Sequence, residues 1–287
     1  MAESSLANIL SPAVLARIDN YYLLARVVVE GFISGMHRSV YQGSGSEFQQ
    51  YKNYTPGEDI KYLDWKAVAR TGRLYTKVFE EETNVNCTII LDASGSMGYQ
   101  GRTAPCTKYH YGAMVAAALA YLAARQGDNV GLVCYSEKLQ SYVAPANRTG
   151  HLQHVMGALQ RVKPQGKANH ATNLGYAVET MRRRGLAIII SDFLEAEEQV
   201  APLLKRLRFS HHDCLVLQVL DPDERSLPFD GAVRFLDSET QEPVLTAPNS
   251  IRDGYQREMN AFLERFRRLC YDLQIDYLLA DTSQQLG

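Results

Sequence analysis

Asp92-Ala93-Ser94-Gly95-Ser96 sets a carboxylate and two hydroxyls at alternate positions, directly after the largely apolar run Val85 to Leu91. Hard oxygen donors of this kind suit a small hard cation such as Mg²⁺, which takes six oxygens and keeps some of them as water. They do not by themselves suit a redox metal or a nucleophilic triad. The pentapeptide alone also admits a plainer role, with the serines capping the next helix and Asp92 accepting from backbone amides. The cation reading needs ligands from distant parts of the chain, and two candidates stand out. Asp192 leaves the apolar run Leu186 to Ser191 as Asp92 leaves its own, and Thr172 lies in the loop that opens the preceding helix.

These residues need elements that bring them to one place. From Val85 onward, strands and helices alternate. The strands are Val85 to Leu91, Val130 to Tyr135 with a hairpin partner Leu139 to Val143, Leu186 to Ser191, Cys214 to Leu220 and Ile275 to Leu279. The helices are Tyr109 to Arg125, Thr149 to Leu159, Leu174 to Arg184, Ala196 to Leu207 and a long one marked by Ile251, Tyr255, Met259, Phe262, Phe266, Leu269 and Leu273. Apolar runs separated by helices predict an α/β fold with a doubly wound, mostly parallel sheet. In such a sheet ligands bind outside the carboxyl ends of the strands, where Asp92 and Asp192 emerge and Thr172 should arrive.

Before Val85 the pattern differs. Ser11-Pro12 reads as a cap and first helical residue, followed by apolar positions at helical spacing from Val14 to Val28, a helix of four to five turns. Gly31 to Ser46 reads as loop or hairpin, Tyr54 to Asp59 as a turn, and Leu74 to Phe79 as a short strand. The expected division is an N-terminal accessory module over 1–82 and a sheet domain over 83–287, with an inserted hairpin or arm over 221–246.

Composition narrows the function classes. The chain has 287 residues, 46% hydrophobic, and a net charge of −2, enough for a full core and without the basic field of a nucleic-acid binder. Five cysteines, an odd number without a pair close in sequence, point to reduced thiols and a reducing compartment. No basic segment followed by a signal-like apolar core opens the sequence, and Arg17, Asp19 and Arg26 interrupt the most apolar early stretch. The expectation is a cytoplasmic protein with no membrane span and no nucleic-acid partner.

The D-x-S-x-S pentapeptide, a threonine at a helix start and an aspartate after a later strand resemble the metal-ion-dependent adhesion site of von Willebrand factor A domains. Asp92, Ser94, Ser96, Thr172 and Asp192 match its positions. The resemblance implies that the hydroxyls coordinate Mg²⁺, that the aspartates act directly or through water, and that a partner's carboxylate completes the shell. Upstream, Val28-Val29-Glu30-Gly31, Gly35-Met36-His37-Arg38-Ser39, Glu47-Phe48, Tyr54-Thr55-Pro56-Gly57-Glu58-Asp59 and Asp64-Trp65 resemble the bacterial MoxR-associated family, the fifty-eighth catalogued domain of unknown function. Glu58 and Lys61 depart from the family's usual Asp and Arg, and the lysine would lose any bidentate pairing. That resemblance implies a MoxR-type AAA+ ATPase as partner and a client protein in maturation or assembly.

Other features carry plainer readings. Tyr54 to Trp65 reads as a turn with a packing tryptophan rather than a contact surface. Glu80-Glu81-Glu82 reads as a solvated strand end, and Arg182-Arg183-Arg184 as cations at a helix C-terminus. His151, His154 and His170 invite a transition metal, against the oxygen character of the predicted site. Enzyme readings lack their parts. Ser94 stands where a haloacid-dehalogenase phosphotransferase needs a second aspartate, and neither a Gly-x-Ser-x-Gly elbow around Ser94 nor a Walker A sequence occurs. The reading is a non-enzymatic module that binds a partner through Mg²⁺. The alternatives are a scaffold acting through its N-terminal module, with a vestigial metal site, and a cryptic Mg²⁺-dependent hydrolase.

Overall fold

Strands that are apolar along their whole length need cover on both faces, and the architecture supplies it. The structure is a computed structural model that describes residues 12–36, 51–53, 70, 74–77, 84–194, 196–238 and 242–284. The first helices among the described residues are α1 (Pro12–Leu15) and α2 (Tyr21–Met36). In the segment that follows, β1 (Tyr51–Asn53) pairs antiparallel with β2 (Tyr75–Lys77).

The main sheet contains β3 (Asn86–Asp92), β4 (Asn129–Tyr135), β5 (Leu139–Ala146), β6 (Gly185–Ser191), β7 (Asp213–Leu220) and β10 (Asp276–Asp281). Its spatial order is β10-β7-β6-β3-β4-β5, parallel throughout except for the edge strand β5. The chain leaves β3 toward β4 on one side and later returns to place β6 on the other. That reversal at β3 and β6 is the switch point, where an open α/β sheet forms its binding crevice. Register pairs Leu91 with Ile190, so Asp92 and Ser191 come level and Asp192 stands one residue beyond.

Alternation along each strand divides the core. Ile89, Leu91, Ile188 and Ile190 point to the side covered by α2, α3 (Lys108–Arg125) and α4 (His151–Arg161). Ile90, Val133, Ile189 and Val216 point to the side covered by α5 (His170–Thr180), α6 (Glu197–Phe209) and a long C-terminal helix over Pro248–Asp272. The residues between β7 and that helix form α7 (Pro222–Ser226) and an antiparallel hairpin, β8 (Val233–Leu236) with β9 (Pro243–Thr246); the C-terminal helix is α8. No helix among the described residues is long and apolar enough to cross a membrane.

Several elements differ from the sequence expectation. The N-terminal helix is not continuous, because Asn20 accepts a hydrogen bond from the Leu23 amide at 3.0 Å and so caps a new helix. That helix runs to Met36, through the first part of the expected Gly31 to Ser46 loop. The division of the chain also falls elsewhere. One unit takes Met1–Met36 with Val85–Gly287, and the other is His37–Asn84. Tyr21, Leu24, Ala25 and Val28 of α2 are buried in the same core as α3, so this helix belongs with the sheet rather than with an accessory module over 1–82. The insert 221–246 holds a short helix besides the hairpin. The turn Tyr54 to Asp59, Trp65 and the Glu80 to Glu82 run lie outside the described residues.

Helix α5 starts four residues earlier than its apolar periodicity suggests. Asn169 accepts from the Thr172 amide at 3.1 Å and caps it, which puts Thr172 inside the first turn. The helix then ends at Thr180. Arg182, Arg183 and Arg184 therefore lie beyond it, and the expected placement of three cations on a helix C-terminus does not hold.

Candidate metal centre

Asp92 ends β3 and is fully buried. Its Oδ1 accepts the Ser94 amide at 2.8 Å, and its Oδ2 accepts the Ser191 hydroxyl at 2.7 Å. Beyond it the chain turns at once. The Ala93 amide donates to the Tyr135 carbonyl at 2.6 Å, the Gly95 amide donates to the Gly166 carbonyl at 2.7 Å, and Ser96 opens a single 3₁₀ turn over Ser96–Gly98. The turn brings the Ser94 and Ser96 hydroxyls within 3.1 Å of each other. Gly95 must be glycine, since a Cβ there would overlap the Ser238 carbonyl beyond β8.

Asp192 follows β6 and is also buried. Its Oδ2 accepts the Lys108 ammonium at 2.8 Å, and the Ser96 side chain hydrogen-bonds to it as well. Asp92, Ser94, Ser96 and Asp192 thus form one group at the switch point. Thr172 is different. It is exposed, and among the described residues no hydrogen bond joins its hydroxyl to the other four. From the same turn of α5, His170 reaches inward instead, with Nε2 4.0 Å from Asp92 Oδ2 and Nδ1 2.9 Å from the Tyr135 hydroxyl.

The two carboxyl groups are shifted in opposite directions. Burial, reinforced by the Asp192 charge, pushes Asp92 up to about 7, although the bonds from Ser191 and Ser94 work against the rise. Burial would raise Asp192 too, but the Lys108 ammonium outweighs it and holds that carboxyl below its usual range. Lys108 is itself raised, because Asp192 and Glu224 more than offset the burial that disfavours its charge.

Among the described residues no three His, Cys, Asp or Glu side chains gather as a metal cluster, so any cation here must draw on the hydroxyls. The donor set fits a small hard cation: two carboxylates, a close pair of serine hydroxyls, and in Asp92 a buried anion without an ammonium partner among the described residues. Of the histidines, His170 stands at the edge of this set, its Nε2 4.0 Å from Asp92 Oδ2. His151 bonds the Val130 carbonyl at 2.7 Å, and His170 packs between Tyr135 and Phe193. Sequence reasoning missed Lys108, Ser191 and Glu224 as members or neighbours of the centre, and weighed His170 only as a transition-metal candidate. Only Ser191, adjacent to Asp192, carried a signal that could have been read.

Comparison with known proteins places the chain. The family described as "Protein of unknown function DUF58" matches residues 50–264. Uncharacterized proteins of Mycobacterium tuberculosis and Mycobacterium bovis are each 30% identical over 233 residues, covering 80% of this chain and 72% of theirs. Among solved structures, the conserved hypothetical protein BatB from Bacteroides thetaiotaomicron has a TM-score of 0.45 at 14% identity, covering 69% of this chain and 90% of that one. An aerotolerance-related membrane protein from Bacteroides fragilis has a TM-score of 0.47 at 16% identity, covering 69% and 92%. The SpRpn10 VWA domain has a TM-score of 0.44 at 13% identity, covering 70% and 91%. With three quarters of its length matched by one family, the chain belongs to the family of unknown function DUF58.

Proposed function

We propose that this chain is a non-enzymatic protein-interaction module of von Willebrand factor A-like type, which binds its partner through a divalent cation. Asp92, Ser94, Ser96 and Asp192 would hold Mg²⁺, and Thr172 would join them from the start of α5. When bound, the cation supplies an open coordination position for a carboxylate from the partner. The chain's own residues do the rest. Ser191 and the Ser94 amide fix the Asp92 carboxylate, and Ser96 ties the loop to Asp192.

The observation that carries this reading is Asp92 itself. A buried carboxylate with no ammonium of its own and an imidazole nitrogen no closer than 4.0 Å, beside a second carboxylate and two hydroxyls, is costly in its ionised form unless a cation joins it. By family resemblance the partner is a MoxR-type AAA+ ATPase, acting with this chain on a client protein in the cytoplasm.

The test is Mg²⁺ titration of the wild type and Asp92→Ala, followed by thermal melting. At about a hundred times the dissociation constant, binding should stabilise the wild type by about 2.7 kcal/mol and raise its Tm by roughly 5–10 °C. The variant should melt at one temperature with Mg²⁺ or EDTA. A wild type indifferent to Mg²⁺, Mn²⁺ and EDTA would sink the reading. Purified MoxR-type ATPase should then be retained by the wild type in Mg²⁺ and released in EDTA.

A further inference from the structure

Lys108 is the first residue of α3, and its side chain is completely buried. One ammonium there serves two carboxylates, Asp192 at 2.8 Å and Glu224, whose Oε1 lies closer still. Asp192 belongs to the candidate metal centre, whereas Glu224 sits on α7 in the insert. Glu224 is firmly placed, because its Oε2 accepts the Asp221 amide at 3.0 Å and its carbonyl accepts the Tyr255 hydroxyl at 2.6 Å. The insert is also bonded to the segment that leads from the Asp92 loop to Lys108. Asp221 accepts the Gly101 amide at 2.7 Å, and Asp223 accepts the Arg102 amide at 2.9 Å.

A shared buried ammonium makes the two carboxylates dependent on each other. The more Lys108 is satisfied by Glu224, the more of the Asp192 charge is left for a cation. With Asp92 ionised, as a bound cation would keep it, Asp92, Asp192 and Glu224 with Lys108 leave two negative charges, a match for one divalent ion. Without Glu224 only one remains, and Lys108 turns wholly to Asp192. We infer that Glu224, acting through Lys108, sets the cation affinity of the Asp92–Asp192 centre and couples that centre to the insert. The inference rests on the reading of the centre as a cation site. Lys108 and Glu224 are positioning residues in it, and neither is a proposed ligand.

Calorimetric titration of the full chain with MnCl₂ tests this in wild type, Glu224→Gln, Lys108→Met and the double variant. Glu224→Gln should weaken Mn²⁺ binding by about tenfold, and Lys108→Met should tighten it by about tenfold, on the scale of one unit charge at close range in a partly screened site. In the Lys108→Met background, the effect of Glu224→Gln should shrink well below tenfold, because the ammonium that relays most of it is gone and only the direct charge of Glu224 on the centre is left. A merely structural role for the pair predicts losses in both single variants and no such masking. Thermal melting identifies a variant that does not fold. Should Lys108→Met fail in this way, Glu224→Gln carries the test alone, and a folded Glu224→Gln with wild-type Mn²⁺ affinity overturns the coupling. Wild-type binding that Asp92→Ala abolishes and Glu224→Gln leaves untouched overturns the coupling only. If no form takes up Mn²⁺, the cation reading falls and the coupling with it.

Discussion

The ends of β3 and β6 are neighbours that each carry a buried aspartate, yet they are wired differently. At the end of β6, Asp192 is tied to a buried ammonium and held ionised. At the end of β3, Asp92 accepts from hydroxyl and amide donors, with His170 Nε2 4.0 Å away and no ammonium beside it among the described residues, and burial pushes its carboxyl up to about 7. One carboxylate is already neutralised by the fold and the other waits for something positive. A centre built this way has a fixed side, anchored by Lys108, and an open side where the proposed cation would act.

Replacing each aspartate by asparagine should therefore have opposite effects. Asp192→Asn leaves Lys108 buried with Glu224 as its remaining anion. Breaking a buried pair costs about 3–5 kcal/mol, so a Tm lower by roughly 10 °C is expected in EDTA at pH 8. Asp92→Asn removes a buried charge without an ammonium partner and should raise the Tm by roughly 5 °C under the same conditions. Equal losses in both variants would show that the asymmetry has no energetic weight.

The pH dependence sharpens the same contrast. Because Asp92 is raised in the folded protein, the folded state binds a proton that the unfolded chain gives up between its ordinary value of 3.8 and about 7. On this group's account, stability grows as pH falls from above 7 toward 4. Asp192 is lowered, so its contribution is complete above 3.8 and is lost only as pH falls further. In EDTA, the wild type should melt several degrees higher at pH 5.5 than at pH 8, by roughly 5 °C. Asp92→Asn should lose that difference. A profile that is flat, or that rises with pH across this window, would contradict the assignment.

The anchored and the open side were not equally legible in the sequence. Strands buried on both faces leave uninterrupted apolar runs, so β3 and β6, and hence Asp92 and Asp192 at their ends, could be placed by counting. Side-chain caps leave a weaker trace. Asn169 and Asn20 each start a helix with one hydrogen bond, and apolar periodicity alone misplaced the start of α5 and ran two helices together at the N-terminus. Lys108 was hidden by its type, since a lysine in the first turn of a helix ordinarily faces water. Its burial follows from two acidic groups distant in sequence, Asp192 and Glu224, and the latter lies in an insert that matched no motif. The open side thus lay within one pentapeptide, while the anchor depended on three separate segments.

The smallest expected effect isolates the bond that makes Asp92 tolerable at all. Ser191 is fully buried and donates to Asp92 Oδ2 at 2.7 Å, while its oxygen accepts the Phe193 amide at 3.0 Å. Ser191→Ala should cost about 1 kcal/mol at pH 8, roughly 3 °C in Tm, with Asp92 ionised and short of one donor. At pH 5.5 the carboxyl carries its own proton and no longer needs that donor, so the loss should shrink. The difference between pH 5.5 and pH 8 in EDTA should therefore widen in Ser191→Ala, whereas Asp92→Asn removes it. If Ser191→Ala costs the same at both pH values, the hydroxyl serves the Phe193 amide alone, and the open side of the centre owes nothing to it.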